Sequence, residues 1–209
     1  LDQMRVAYDM GGRDGVTTNP SLMANEGSIG AVFQRKHYVD ICNIVQGDVS
    51  AEVIATDYEG MIKEGEELAA LNPHIVVKVP CIADGIKAIK YFSGKGIRTN
   101  CTLVFSIGQA LLAAKAGATY VSPFVGRLDD ISEDGIALVG KIVDVYRYYG
   151  YATQVLAASI RHTAHIIQCI EGGADVATWP RSAIKGLLNH PLTDAGLKKF
   201  LEDYKRVNG

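Results

Sequence analysis

The sequence predicts an α/β protein, and within that class a (β/α)8 (TIM) barrel. Three observations carry this. Strand-like and helical stretches alternate from end to end, the strand stretches are apolar enough to be covered on both faces, and neither a G-x-G-x-x-G nor a P-loop follows the first strand. Alternation with covered strands means a parallel sheet. At 209 residues the choice is a doubly wound sheet or a barrel, which normally needs upwards of about 200 residues. The missing phosphate-loop signatures take support from the nucleotide-binding doubly wound forms. Only seven strands are expected, however, and the chain opens on a helix where a barrel opens on a strand.

Leu1, Met4, Ala7 and Tyr8 have helical spacing and stop at Gly11-Gly12. Gly15 to Asn19 is extended and ends at Pro20, and a long helical segment follows through Val32, Phe33, Ile41, Ile44 and Val45. Val49 to Ile54 reads as a strand, and Thr56-x-x-Glu59 as a capping box for a helix through Met61, Ile62 and Leu68. Ile75 to Val79 is a strand, and Asp84 begins a helix through Ile86, Ile89 and Phe92. Arg98 to Phe105 is extended, and Ser106 starts an Ala/Leu-rich helix that Gly117 closes. Strands at Tyr120–Val125, Gln154–Ala158 and Asp175–Thr178 alternate with helices at Glu133–Tyr149, His162–Ile170 and Ser182–Asn189. An extra amphipathic helix over about 193–207 ends the chain, with Leu197, Phe200, Leu201 and Tyr204 on one face. No linker or composition break divides residues 1–209, so one domain is expected.

With 48% hydrophobic and 21% charged residues, disordered, collagen-like and coiled-coil readings are excluded. A net charge of −2 with scattered Lys and Arg offers no stripe for nucleic acid or an anionic membrane, and no apolar run is long enough to span a bilayer. Cys42, Cys81, Cys101 and Cys169 lie far apart without a CxxC pair, which suits reduced, buried thiols of a cytoplasmic protein.

Strand parity exposes the candidate chemistry, because alternate residues face opposite sides of a sheet. In Ile75-Val76-Val77-Lys78-Val79-Pro80 one ammonium interrupts an apolar run. Burying an unpaired ammonium is expensive, so Lys78 either snorkels, sits in a structural ion pair, or is an amine nucleophile that forms a Schiff base with a carbonyl. Glu52 shares a face with Ser50, Asn100 with Thr102, and Thr17 with Asn19. Any one of these could be a satisfied core hydrogen bond. Four strands doing so together point to a polar lumen at the C-terminal mouth, where barrel enzymes place their sites. Ser122 and Arg127 follow one later strand and Ser159 and Arg161 the next, a set suited to phosphate. His162-x-x-His165 could suggest a metal, but no carboxylate or Cys completes a ligand set, and no metal is expected. Tyr146, Tyr148 and Tyr149 read as helix-face packing.

Gly15-Val-Thr-Thr-Asn-Pro-Ser21, Val77-Lys-Val-Pro80, Thr99-Asn-Cys-Thr-Leu-Val-Phe105, Tyr120-Val-Ser-Pro-Phe-Val-Gly-Arg127, Leu156-Ala-Ala-Ser159 and His190-Pro-Leu-Thr-Asp194 closely resemble the small bacterial transaldolases, a group that includes the fructose-6-phosphate aldolases. The likeness covers essentially the whole chain. It implies a class I mechanism without a cofactor, in which Lys78 matches the Schiff-base lysine. Glu52 and Thr102 match the pair that holds a water for proton transfer, and Asn19, Asn100 and Ser122 the residues that position the dihydroxyacetone unit. Arg127, Ser159 and Arg161 match the phosphate-binding positions. The aldolases carry Gln and Tyr where this chain has Glu52 and Phe124, so the resemblance implies transfer of the dihydroxyacetone unit to an aldose phosphate rather than its release. An aldolase releasing dihydroxyacetone, and a barrel that binds sugar phosphates without turnover, remain the alternatives. The expected partners are phosphorylated sugars and further copies of the chain, as a decamer of two pentamers, with no nucleic acid and no membrane.

Two departures from the pattern stand out. Relatives begin with a strand of the form Phe-Ile-Asp-Thr, whose Asp is the general acid/base in cleavage. This chain starts just after it, and Asp2 falls in the opening helix, so a first strand ahead of Leu1 is expected in the natural protein. Thr178-Trp179-Pro180-Arg181 stands where relatives have a smaller apolar residue and an aromatic one.

Overall fold

The computed structural model of the chain describes residues 14–19 and 31–208. The expected opening helix with its Gly11-Gly12 stop, and Pro20-Ser21 of the first motif, lie outside the described residues. Seven strands form one parallel sheet: β1 (Gly15–Thr17), β2 (Asp48–Glu52), β3 (Ile75–Pro80), β4 (Thr99–Val104), β5 (Tyr120–Pro123), β6 (Gln154–Ala157) and β7 (Val176–Ala177). Their spatial order is their chain order. Every crossover therefore steps to the next strand in one direction, as in a barrel, whereas a doubly wound sheet reverses at a switch point. The sheet curls until its ends approach, with the Thr17 and Thr178 hydroxyls 2.8 Å apart. A cavity of about 450 Å³ lies at this seam, lined among others by Gly15, Thr17, Asp175 and Trp179.

The helices are α1 (Ala31–Val45), α2 (Tyr58–Ala69), α3 (Ala83–Gly94), α4 (Ile107–Ala116), α5 (Val125–Asp129), α6 (Gly135–Tyr149), α7 (Thr163–Glu171), α8 (Arg181–Leu188) and α9 (Pro191–Asn208). The main core lies between strand residues such as Val77, Val79, Cys101 and Val121 and the buried faces of the helices, among them Ile89 and Phe92 of α3 and Ile142 of α6. Phe92 is fully buried, and a Cβ at Gly65 would stand 2.3 Å from its Cζ, so Gly65 lets α2 approach α3. A second cluster joins Tyr38, Ile41, Cys42 and Val45 of α1 to Val49 and Ala51 of β2.

Several boundaries differ from the sequence expectation. Asp57, not Thr56, caps α2, because its carboxylate accepts the Gly60 N–H at 2.9 Å. Likewise α3 starts at Ala83 without a side-chain cap, and α6 starts at Gly135 behind the Asp134 cap. The ladder of β5 ends at Pro123, and the next residues turn into α5 instead of continuing the strand to Val125. Ser106 caps α4 and Gly117 ends it at φ 88°, as expected. Of the three tyrosines on α6 only Tyr146 packs inward, donating to Ala110 O at 2.6 Å; Tyr148 and Tyr149 are exposed. Cys42, Cys101 and Cys169 are buried, Cys81 is half-buried, and all four are free thiols. No residue of α9 is buried, and its Leu197, Phe200, Leu201 and Tyr204 are all exposed. Among the described residues no helix is long and apolar enough to cross a membrane.

Candidate active site

β3 is buried from Ile75 to Val79, and Lys78 within it is only 5% exposed. Register aligns Glu52 of β2, Lys78 of β3 and Asn100 of β4 in one row. Val77, Val79 and Cys101 take the opposite parity, toward the helices, so this row faces the interior of the curled sheet. The Lys78 Nζ lies 3.0 Å from Glu52 Oε2 and donates to the Thr18 carbonyl at 3.0 Å. A carboxylate and a carbonyl together offset the desolvation of the ammonium. The ion pair that a structural lysine requires is therefore present, and the same carboxylate can take a proton from a nucleophilic amine.

Beside this pair runs a fully buried chain of hydrogen bonds. The Ser122 hydroxyl donates to Asn100 Oδ1 at 2.7 Å, and Asn100 Nδ2 donates to Ser50 Oγ at 3.1 Å. These bonds fix the Asn100 amide in the row that carries Lys78. Thr102 follows Asn100 on the same face, and its Oγ1 is buried without a partner among the described residues. A buried unpaired hydroxyl is costly, and one on the lumen face next to the Lys78 amine is available to a water or another hydrogen-bonding group. Asn19 is half-buried, directly after Thr18, whose carbonyl meets Lys78. Phe124 follows β5; its ring meets Phe105 at 5.7 Å and carries the Arg127 guanidinium 5.0 Å above it.

The later residues gather in a second group at the C-terminal ends of β5 and β6. Ser159 adopts φ 58°, and its carbonyl accepts the Gly126 N–H at 3.0 Å. A Cβ at Gly126 would stand 2.5 Å from that carbonyl and 2.6 Å from Arg161 Nε, so only glycine lets the Arg161 side chain lie across α5. Arg127 lies on α5 itself. His162 and His165 stack at 3.6 Å, and the Nε2 of His165 meets Asp129 Oδ2 at 2.9 Å while its Nδ1 accepts the Arg161 N–H at 3.4 Å. Burial, then the neighbouring His162, holds the His165 imidazole below its usual range. This histidine pair therefore ties the β6 turn to α5.

Three participants were not singled out in the sequence. The Thr18 carbonyl has no side-chain signature. Tyr38 is buried, its hydroxyl contacts Thr18 and Glu52, and burial pushes that hydroxyl above its ordinary pKa; its place on the Ile41, Cys42, Val45 stripe of α1 was the available signal. Asp130 binds Arg161 across 31 positions, with nothing local to mark it. Trp179 is half-buried against the main core and lines the seam cavity.

A curled parallel sheet whose strands run in chain order, with helices packed on its outside, is of the TIM-barrel-like α/β class. The chain matches the family model described as Transaldolase/Fructose-6-phosphate aldolase over residues 1–209, and it belongs to that family. It is 81% identical over 208 residues to a "Probable transaldolase" of Bacteroides fragilis, covering 100% of this chain and 95% of that one. Proteins with the same description from Bacteroides thetaiotaomicron and Cytophaga hutchinsonii are 80% and 70% identical over 209 residues, each covering 100% of this chain and 96% of theirs.

Proposed function

We propose that the chain is a class I transaldolase that moves a dihydroxyacetone unit from a ketose phosphate, fructose 6-phosphate or sedoheptulose 7-phosphate, to an aldose phosphate. The observation that carries this is the Lys78 amine, buried on the lumen face and 3.0 Å from Glu52. Glu52 takes the ammonium proton and the Nζ attacks the donor's C2 carbonyl; loss of water, with Thr102 and Glu52 holding it, leaves an iminium. The C3–C4 bond then breaks, its electron pair enters the iminium to give an enamine, and the C4 hydroxyl loses its proton as the aldose phosphate leaves. No described residue is given the part of the base that takes that proton. Attack of the enamine carbon on the acceptor aldehyde and hydrolysis release the new ketose phosphate and Lys78.

Asn19, Asn100 and Ser122 hold the dihydroxyacetone hydroxyls, and Arg127, Ser159 and Arg161 the phosphate. Phe124 brings no hydroxyl to the pocket, which supports keeping the enamine for an acceptor rather than protonating it. With fructose 6-phosphate and erythrose 4-phosphate the protein is expected to form sedoheptulose 7-phosphate, and without the acceptor to stall. Steady release of free dihydroxyacetone without acceptor would identify an aldolase instead. No turnover with either mixture would leave a binding protein.

The setting is the pentose phosphate interconversions of the cytoplasm. The exposed apolar face of α9 supports assembly with other copies, as a decamer of two pentamers. Light scattering is expected to give a decamer, and a monomer at micromolar concentration would overturn it.

A further inference from the structure

One of the two arginines assigned to the phosphate, Arg161, already holds an anion. The Arg161 guanidinium grips Asp130 end-on, Nη1 to Oδ1 at 2.6 Å and Nη2 to Oδ2 at 2.5 Å. Its Nε flank lies against Gly126, so the fork that could bind an oxyanion with two parallel hydrogen bonds is the one Asp130 holds. Asp130 immediately follows the helix that carries Arg127. Hydrogen bonds from Arg161, and after them the charge of Arg127, keep the Asp130 carboxyl below the usual carboxylate range. The Arg161–Asp130 pair is half-exposed on both sides, at 49% and 51%, which makes it a weak contact that a stronger anion can break.

We propose that Asp130 is an internal stand-in for the substrate's phosphate: its carboxylate occupies the anion seat of Arg161, beside Arg127, and the incoming phosphate displaces it. This rests on the phosphate assignment made above. A phosphate dianion brings twice the charge of the carboxylate to the same guanidiniums and adds an oxygen for the Ser159 hydroxyl, so exchange favours it. A neutral ketose has no charge with which to displace Asp130, and Asp130 thereby acts as a specificity-determining residue against unphosphorylated sugars.

The test compares the intact protein with Asp130→Asn, Asp130→Ala, Arg161→Ala and a remote charge control, Asp84→Asn, which loses a carboxylate that pairs Lys87 on α3. The readouts are the KM for fructose 6-phosphate and the inhibition constant of inorganic phosphate. Both Asp130 variants are expected to bind inorganic phosphate and donor about two- to fivefold more tightly, the range for release of a half-exposed pair, while Asp84→Asn changes neither. Arg161→Ala is expected to weaken both. If Arg161→Ala weakens phosphate while the Asp130 variants leave it unchanged or weaken it too, displacement is wrong and Asp130 only positions Arg161. If Arg161→Ala leaves phosphate binding unchanged, the phosphate assignment itself fails.

Discussion

Replacing Glu52 by Gln, Lys78 by Met, and both together makes a double-mutant cycle on the central pair. The two side chains are 13% and 7% exposed and their charged atoms are 3.0 Å apart. Glu52→Gln leaves an ammonium opposite a neutral amide, and Lys78→Met leaves a carboxylate opposite a thioether. An unpaired charge at such a site costs about 3–5 kcal/mol, and the lower end applies here because Glu52 keeps some solvent. For a chain of this length that is a fall in Tm of about 6–12 °C in each single variant. The double variant contains no buried charge, so it is expected to be more stable than the sum of the singles by about 2–3 kcal/mol. Thermal and urea unfolding followed by circular dichroism at pH 7 measures all four corners. Additivity within about 0.5 kcal/mol would show that the two groups do not share one desolvated site, and the reasoning from strand parity would fall with it.

At the opposite end of the sheet, Arg98 Nη1 meets both oxygens of Asp48 at 2.6 and 2.7 Å, and the Tyr120 hydroxyl donates to the same carboxylate at 2.8 Å. Burial, then this hydrogen bond, pushes the Tyr120 hydroxyl up to about 12. Asp48→Asn is therefore expected to cost about 1–3 kcal/mol in unfolding without changing KM, since this network joins the N-terminal ends of three strands; a raised KM with unchanged Tm would contradict that. The His165 imidazole, held below 6.5 by burial, gives a pH dependence with a definite sign. The unfolded chain binds the proton more readily than the folded one, so this contribution is whole above about pH 6.5 and is lost as pH falls from there toward the folded value. Tm measured downward from pH 7.5 is expected to fall less steeply in His165→Gln than in the parent; parallel curves would refute it.

How much of this was legible in the sequence follows from where each signal lies. Lys78 stood out because one charge interrupted the apolar Ile75–Pro80 run; parity paired Glu52 with Ser50 and Asn100 with Thr102 within their own strands, and only the register set Glu52 and Asn100 beside Lys78. The end of β5 was hidden because Val125–Asp129 is too short to show a helical period, so the strand was carried through to Val125. Thr56 and Asp57 both make acceptable caps, and only the Gly60 N–H chose between them. Tyr148 and Tyr149 resembled packing residues by composition, yet the phase of α6 directs Tyr146 alone to the core. The grip of Asp130 on Arg161 arises only when the turns after β5 and β6 meet, which no local pattern encodes.

The most direct measurement is reduction of the protein with borohydride in the presence of fructose 6-phosphate, followed by peptide mass mapping. One adduct carrying the donor's carbons is expected on the peptide that contains Lys78, and none in Lys78→Met. An adduct on another lysine, or none at all from a protein that turns over, would contradict it.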